Sequence, residues 1–190
     1  MKRNIALFSS GSGSNAENII RYFHSNPEVS FPLILSNKVD AYVHQRAKAL
    51  GVSSLTFSKA EWEESEHILQ LLQEKKVDFI VLAGFLLKVP SKLIAAYPDK
   101  IINIHPALLP KYGGKGMYGQ HVHEAVVAAG EKESGITIHY VNEHYDEGNI
   151  IFQAKCAVLP TDTADDVAEK VHQLEYDYFP KIIAQLMEKL

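Results

Sequence analysis

Asn103 and His105 stand two residues apart in the apolar run Ile101-Ile102-Asn103-Ile104-His105, which stops at Pro106. Residues two apart on a strand share a face. A buried strand here therefore delivers an amide N–H donor and an imidazole to the same side of its carboxyl end. The pair suits a carbonyl that becomes an oxyanion: the amide donates to the oxygen, and the ring gives or takes a proton. Pro106 keeps His105 out of the helical region, and Pro110 removes a further backbone donor, so the strand exit through Lys111 and Tyr112 is stiffened. Taken alone, Asn-x-His reads first as a polar strand end with a capped histidine, because short spacings recur by accident.

Such a pair needs a frame, and the chain before it supplies one. A strand at Asn4–Phe8 runs into Gly11-Ser12-Gly13-Ser14-Asn15-Ala16 and then a helix to Phe23. Strand, small-residue loop and helix turn backbone N–H groups and the positive helix end toward an anion. A dinucleotide site would carry an acidic residue after the second strand. Phe31–Leu35 instead runs into Ser36-Asn37-Lys38, so the loop is read as holding a single phosphate. Further strands are expected at Ser53–Phe57 and Val77–Ala83. Helices are expected at Ala41–Leu50, at Lys59–Lys75 as one charged helix, and from Pro90 to Tyr97. Continuous apolar strands separated by helices give an α/β fold: a Rossmann-like, mostly parallel twisted sheet with helices on both faces. Ligands gather beyond the carboxyl ends of such strands. Gly13, Gly84 and His105 all lie at such ends, so one crevice is expected to serve all three. Trp62 and His67 are read as packing and solvent contacts.

Beyond Pro110 the glycine-dense stretch Lys111–Gly119 must move or fold over something. His121 and His123 follow at the start of a helix to Ala129; on a helix, side chains two apart diverge, and no carboxylate or cysteine completes a metal site. Ser134–Val141 and Ile150–Val158 alternate as an antiparallel pair near the carboxyl end. Their polar connection, Asn142–Asn149, contains Asp146, either a general acid or base or a turn former. Thr161–Asp166 caps a long amphipathic helix toward Tyr178, which Pro180 is expected to interrupt.

The 190 residues make one domain of ordinary size, 1–190, with no linker, repeat or low-complexity segment. Hydrophobic residues are 46% and charged residues 22%, and mean hydropathy is −0.10, values of a water-soluble globular chain. A net charge of −4 argues against nucleic acid as the partner. The longest apolar run, Phe79–Leu87, is too short to span a bilayer. The lone Cys156 forms no internal disulfide and suits a reducing cytoplasm.

Together, Asn103-x-His105-Pro106-x-Leu108-Leu109-Pro110, the loop Ser10-Gly11-Ser12-Gly13-Ser14-Asn15, the segment Val81-Leu82-Ala83-Gly84-Phe85 and Asp146 resemble the folate-dependent formyltransferases. The likeness covers essentially the whole chain, including His172-Gln173-Leu174-Glu175 and Tyr178-Phe179-Pro180. It implies transfer of a formyl group from the cosubstrate 10-formyltetrahydrofolate to the amine of glycinamide ribonucleotide in de novo purine synthesis, without a metal. In that reading residues 1–100 form a phosphate- and nucleotide-binding half, and 101–190 a catalytic and folate-binding half. Asn103 and protonated His105 stabilise the oxyanion. Asp146 orients and charges His105 and, through water, helps carry a proton from amine to folate nitrogen. Gly11, Ser12, Gly13, Ser14 and Asn15 hold the substrate phosphate, with Glu175 at the ribose or glycinamide end. Leu86, Leu87, Lys88, Val89, Asn103, Val141, Tyr145 and Asp146 form the folate site.

The implied partners are these two small molecules, with no nucleic acid or membrane, in a monomer or homodimer. Three departures from the family pattern stand out. Leu87 occupies a position where many relatives carry arginine, Asp146-Glu147-Gly148-Asn149 replaces an expected Asp-Gly-Gly-Pro, and Gly113–Gln120 is longer. His121 is expected as a flanking active-site histidine. Two other kinds of member carry a further tRNA-binding or regulatory domain, and the length leads us to expect neither here. A catalytically silent phosphate-binding module is the remaining alternative, disfavoured by the joint presence of Asn103, His105 and Asp146.

Overall fold

A computed structural model describes residues 2–190, which fall into two compact units, one extending through Ile102 and the other comprising Asn103–Leu190. In the first unit the strands β1 (Arg3–Phe8), β2 (Val29–Ser36), β3 (Ser54–Thr56) and β4 (Phe79–Leu82) lie in the order β3-β2-β1-β4. All their pairings are parallel. The last four residues of β1 and all of β4 are buried, the pattern of strands covered on both faces. The flanking helices are α1 (Ser14–Tyr22), α2 (Val43–Leu50), α3 (Lys59–Glu64), α4 (Glu66–Glu74) and α5 (Ser91–Ala96).

The charged segment expected as one helix is two. Ser65 adopts a left-handed conformation with φ 64°, and its hydroxyl donates to the Trp62 carbonyl at 2.7 Å. This local hydrogen bond satisfies the end of α3 and turns the chain into α4. The break lets Trp62 enter an aromatic cluster with Phe8, Phe57 and Phe85, with ring centroids 5.1–5.5 Å from its own. The packing reading of Trp62 holds, and His67 is exposed.

The second unit orders its strands β5-β6-β7, with β5 (Ile101–His105) beginning just before the boundary, β6 at Glu133–Tyr140 and β7 at Ile150–Ala157. β6 and β7 are antiparallel, pairing Thr137 with Gln153. The chain is thus the expected α/β protein, mostly parallel, with an antiparallel pair near the carboxyl end. Helices α6 (Gln120–Ala128) and α7 (Ala164–Met187) complete the unit. Thr163 and Asp166 form a capping box at the start of α7.

Contrary to expectation, α7 runs straight through Pro180. Proline removes one helical donor, at a cost of about 3 kcal/mol in an isolated helix. Phe179, Pro180, Ile182, Ile183, Leu186 and Met187 are all buried, and at roughly 1.5–3 kcal/mol per large apolar side chain their packing outweighs that loss.

Candidate active site

β5 ends with His105 buried and Asn103, on the same face, half-buried. The exit from this strand is fastened by a residue that sequence reasoning missed. Thr137, fully buried on β6, donates its hydroxyl to the Ala107 carbonyl at 2.7 Å and accepts from Leu109 N–H at 3.0 Å. Gln153, its partner on β7, donates to both the Leu109 carbonyl and the Thr137 hydroxyl at 3.0 and 2.9 Å. These four hydrogen bonds tie the exit loop to β6 and β7.

The four polar side chains of the site interlock. His105 Nε2 lies 2.6 Å from the Tyr112 carbonyl, and since a carbonyl only accepts, that nitrogen carries a proton. His105 Nδ1 faces Asp146 Oδ2 at 3.5 Å. Asp146 Oδ1 lies 3.5 Å from Nε2 of His139, and the same nitrogen is 3.2 Å from Asn103 Nδ2. His139 Nδ1 donates to the Tyr140 carbonyl at 2.9 Å, which fixes the ring. Neutral His139 accepts from Asn103; protonated, it donates to Asp146. Asn103 keeps a second amide hydrogen for a ligand oxygen. His139 shares its strand face with Thr137, and that alternation in Gly135–Tyr140 is the signal by which sequence reasoning could have found both.

The glycine-dense stretch does fold over something. Gly114 N–H donates to Asp146 Oδ2 at 3.0 Å. A Cβ on Gly113 would lie 2.5 Å from the Leu109 side-chain methyl and 3.4 Å from the Asp146 Cβ, so a larger residue would have to displace the Leu109 side chain. Asp146 is held in the left-handed region at φ 55°, a conformation Asp tolerates better than most residues. Gly148, behind it, packs on the Tyr140 carbonyl, where an added Cβ would fall 1.6 Å from that oxygen.

The Asp146 carboxylate favours the protonated His105 ring, the direction expected of it. Burial instead pulls His105 below the ordinary imidazole range, and the positive potential of His139 adds to this. Asp146 and the Tyr112 carbonyl oppose the shift without overcoming it. Burial alone would raise Asp146, but the hydrogen bond to His139, the charge of His105 and the Gly114 N–H together hold it below the usual carboxylate range.

His121, the expected flanking histidine, is exposed and pairs with Glu124 at 3.6 Å. His123 is the buried one, at 2% exposure, and its pKa is lowered to about 4 by burial and by the positive potentials of His172 and His105. Glu175 is buried on α7, 3.8 Å from His172. Val141 is half-buried and Tyr145 exposed at the two ends of the segment leading to Asp146. Among the described residues no group of three or more His, Cys, Asp or Glu could hold a metal, and no helix is long and apolar enough to cross a membrane.

In the first unit, Gly13 caps α1 in a left-handed conformation at φ 73°, and the Ser14 N–H donates to the Ser12 hydroxyl at 3.4 Å. An added Cβ there would lie 2.4 Å from the Val43 side chain, so α2 packs directly on the loop. Val43 N–H donates to the Gly11 carbonyl at 3.1 Å. Arg46 donates to the Ser12 carbonyl at 2.7 Å and pairs with Glu17, whose carboxyl is held low chiefly by that hydrogen bond. Ser12 and Ser14 lie at the opening of the helix, their hydroxyls 3.4 Å apart, with Asn15 behind them in its first turn. Further along, Leu86 and Lys88 are exposed and Leu87 is half-buried. Val89 is buried. The Trp62 indole N–H donates to the Lys88 carbonyl at 2.8 Å.

The formyl transferase family model matches residues 3–183, and the chain belongs to that family. It is 38% identical over 198 residues to the chloroplastic phosphoribosylglycinamide formyltransferase of Arabidopsis thaliana, covering 99% of this chain and 66% of that one. With the phosphoribosylglycinamide formyltransferase of Bacillus subtilis the identity is 36% over 190 residues, covering 97% and 95%. The crystal structure of phosphoribosylglycinamide formyltransferase from Streptococcus pneumoniae superposes with a TM-score of 0.86 at 36% identity, covering 98% of this chain and 99% of that one. The chain thus spans slightly less than two thirds of the Arabidopsis relative and nearly all of the bacterial ones.

Proposed function

We propose that the protein transfers the formyl group of 10-formyltetrahydrofolate to the amine of glycinamide ribonucleotide, giving formylglycinamide ribonucleotide and tetrahydrofolate in the third step of de novo purine biosynthesis. The observation that carries this reading is the Asp146 carboxylate set 3.5 Å from both His105 Nδ1 and His139 Nε2, with the Asn103 amide on His139, in a chain whose relatives bear that activity's name.

Attack of the amine on the formyl carbon makes a tetrahedral oxyanion. Asn103 donates its second amide hydrogen to that oxygen. His105 takes the proton released by the attacking nitrogen through water, and as an imidazolium paired with Asp146 adds positive charge beside the oxyanion. The proton then passes to N10 of the folate as the C–N10 bond breaks, which returns His105 to its starting state. A ring between a carbonyl and a carboxylate suits this cycle, because both acceptors favour the protonated form when the reaction supplies the proton.

Gly11, Ser12, Gly13, Ser14 and Asn15 are assigned to the ribonucleotide phosphate, supported by their place at the opening of α1. Glu175 is assigned to the ribose or glycinamide end. Leu86, Leu87, Lys88, Val89, Asn103, Val141, Tyr145 and Asp146 are assigned to the folate. The residues up to about 100 act in phosphate binding and the remainder in catalysis and folate binding. The protein acts without a metal, as a monomer or homodimer, in the cytoplasm; the lone Cys156 suits that compartment.

The test follows loss of 10-formyltetrahydrofolate with and without glycinamide ribonucleotide. Acceptor-dependent loss supports the proposal. Acceptor-independent loss would mean hydrolysis instead, and no loss at all would remove the reading.

A further inference from the structure

Ser10 stands one residue before the glycine loop, is 2% exposed, and is used by neither half of the proposed reaction. Its hydroxyl lies 2.6 Å from Asn37 Oδ1 and 3.0 Å from Leu86 N. An amide oxygen only accepts and a backbone N–H only donates, so Ser10 gives its single proton to Asn37 and accepts from Leu86. Its own N–H donates to the Gly84 carbonyl at 2.9 Å. One residue therefore holds both ends of the turn Gly84-Phe85-Leu86 while its carbonyl side leads directly into Gly11. Asn37 sits just after β2, where a dinucleotide-binding domain would carry its acidic ribose ligand, and here it serves as the fixed acceptor that orients the Ser10 hydroxyl.

We infer that Ser10 is a positioning residue that couples the anion loop Gly11–Ser14 to the segment Gly84–Val89, so that filling one stiffens the other. The identities of the two ligands rest on the proposed function; the coupling itself rests on the hydrogen bonds. The far end of the segment is already pinned by Trp62 at Lys88, so the Ser10 end is where its remaining freedom is controlled. Such coupling is reciprocal: whatever factor one ligand exerts on the other is returned.

The test reads amide exchange at Leu86 with and without inorganic phosphate as the probe, in the wild type, S10A and N37A. Loss of the acceptor should speed Leu86 exchange in S10A by about tenfold, one net hydrogen bond. Phosphate should slow Leu86 exchange in the wild type and leave it unchanged in S10A, with N37A intermediate because its hydroxyl is no longer oriented. A Leu86 amide indifferent to phosphate in the wild type, or equally responsive in S10A, overturns the inference. In turnover, S10A should raise KM for both substrates together, by about tenfold each and out of proportion to any change in kcat. A rise confined to one substrate contradicts it. Coupling at Leu86 in a protein that lacks formyl transfer would refute the proposed function and leave this inference standing.

Discussion

Asp146→Asn removes one charge and little else, which makes it the sharpest probe of the site. The amide oxygen of Asn can still accept from Gly114 N–H, now at 3.0 Å from Asp146, and Asn tolerates the left-handed backbone at φ 55° as well as Asp does. The fold should therefore persist, with a thermal midpoint near that of the wild type. What is lost is the attraction between the carboxylate and the His105 imidazolium formed during reaction. For unit charges 3.5 Å apart at an effective dielectric of about 20, that attraction is about 5 kcal/mol. With the proton partly transferred in the transition state, roughly half to most of it is at stake, which corresponds to a fall in kcat of about 10²–10⁴-fold. The two-substrate assay at saturating concentrations reads this directly, with KM values expected to change far less. A kcat within about tenfold of wild type would refute the role given to the Asp146 charge.

Three other perturbations test the surrounding structure. His123 has a folded-state pKa of about 4 against an ordinary 6.5, so below pH 6.5 the unfolded chain binds a proton that the folded one refuses. Stability should fall as the pH drops from 6.5 toward 4, by roughly 3 kcal/mol for this residue, and urea titrations of His123→Leu across that range should show a shallower loss; an identical slope counts against the assignment. Gly13→Ala forces a left-handed alanine whose Cβ meets Val43 at 2.4 Å, and should cost about 2–5 kcal/mol in urea unfolding while raising KM for the ribonucleotide. Gly148→Ala cannot keep its loop path, since its Cβ would fall 1.6 Å from the Tyr140 carbonyl oxygen; kcat should drop more than about tenfold as Asp146 moves, and unchanged kinetics would contradict this.

The strands and the polar residues of β5 were readable because alternation and continuous apolar runs carry their burial directly: Asn103 and His105 were placed on one face from spacing alone. The split of the charged helix at Ser65 was not, because a left-handed serine bonded to the Trp62 carbonyl leaves no mark in periodicity. Pro180 misled for the opposite reason. Its local penalty is visible in sequence, while the buried face of α7 that offsets it is a property of packing. In the site, Asp146 and His105 were legible as types, and Asp146 does raise the ring; the depth of burial that pulls His105 the other way is a property of packing. His139 and Thr137 were hidden by a strand pattern that reads equally well as plain polar alternation. The exchange of His121 for His123 turns on helix phase, since a rotation of two residues separates solvent from core.

The most direct measurement uses 10-formyltetrahydrofolate labelled with carbon-13 in the formyl group, mixed with glycinamide ribonucleotide and the enzyme. The account predicts that label appears in formylglycinamide ribonucleotide in step with tetrahydrofolate, one for one, with none passing into formate. Label recovered as formate, or tetrahydrofolate formed without labelled amide, would contradict direct transfer through the Asn103, His105 and Asp146 site.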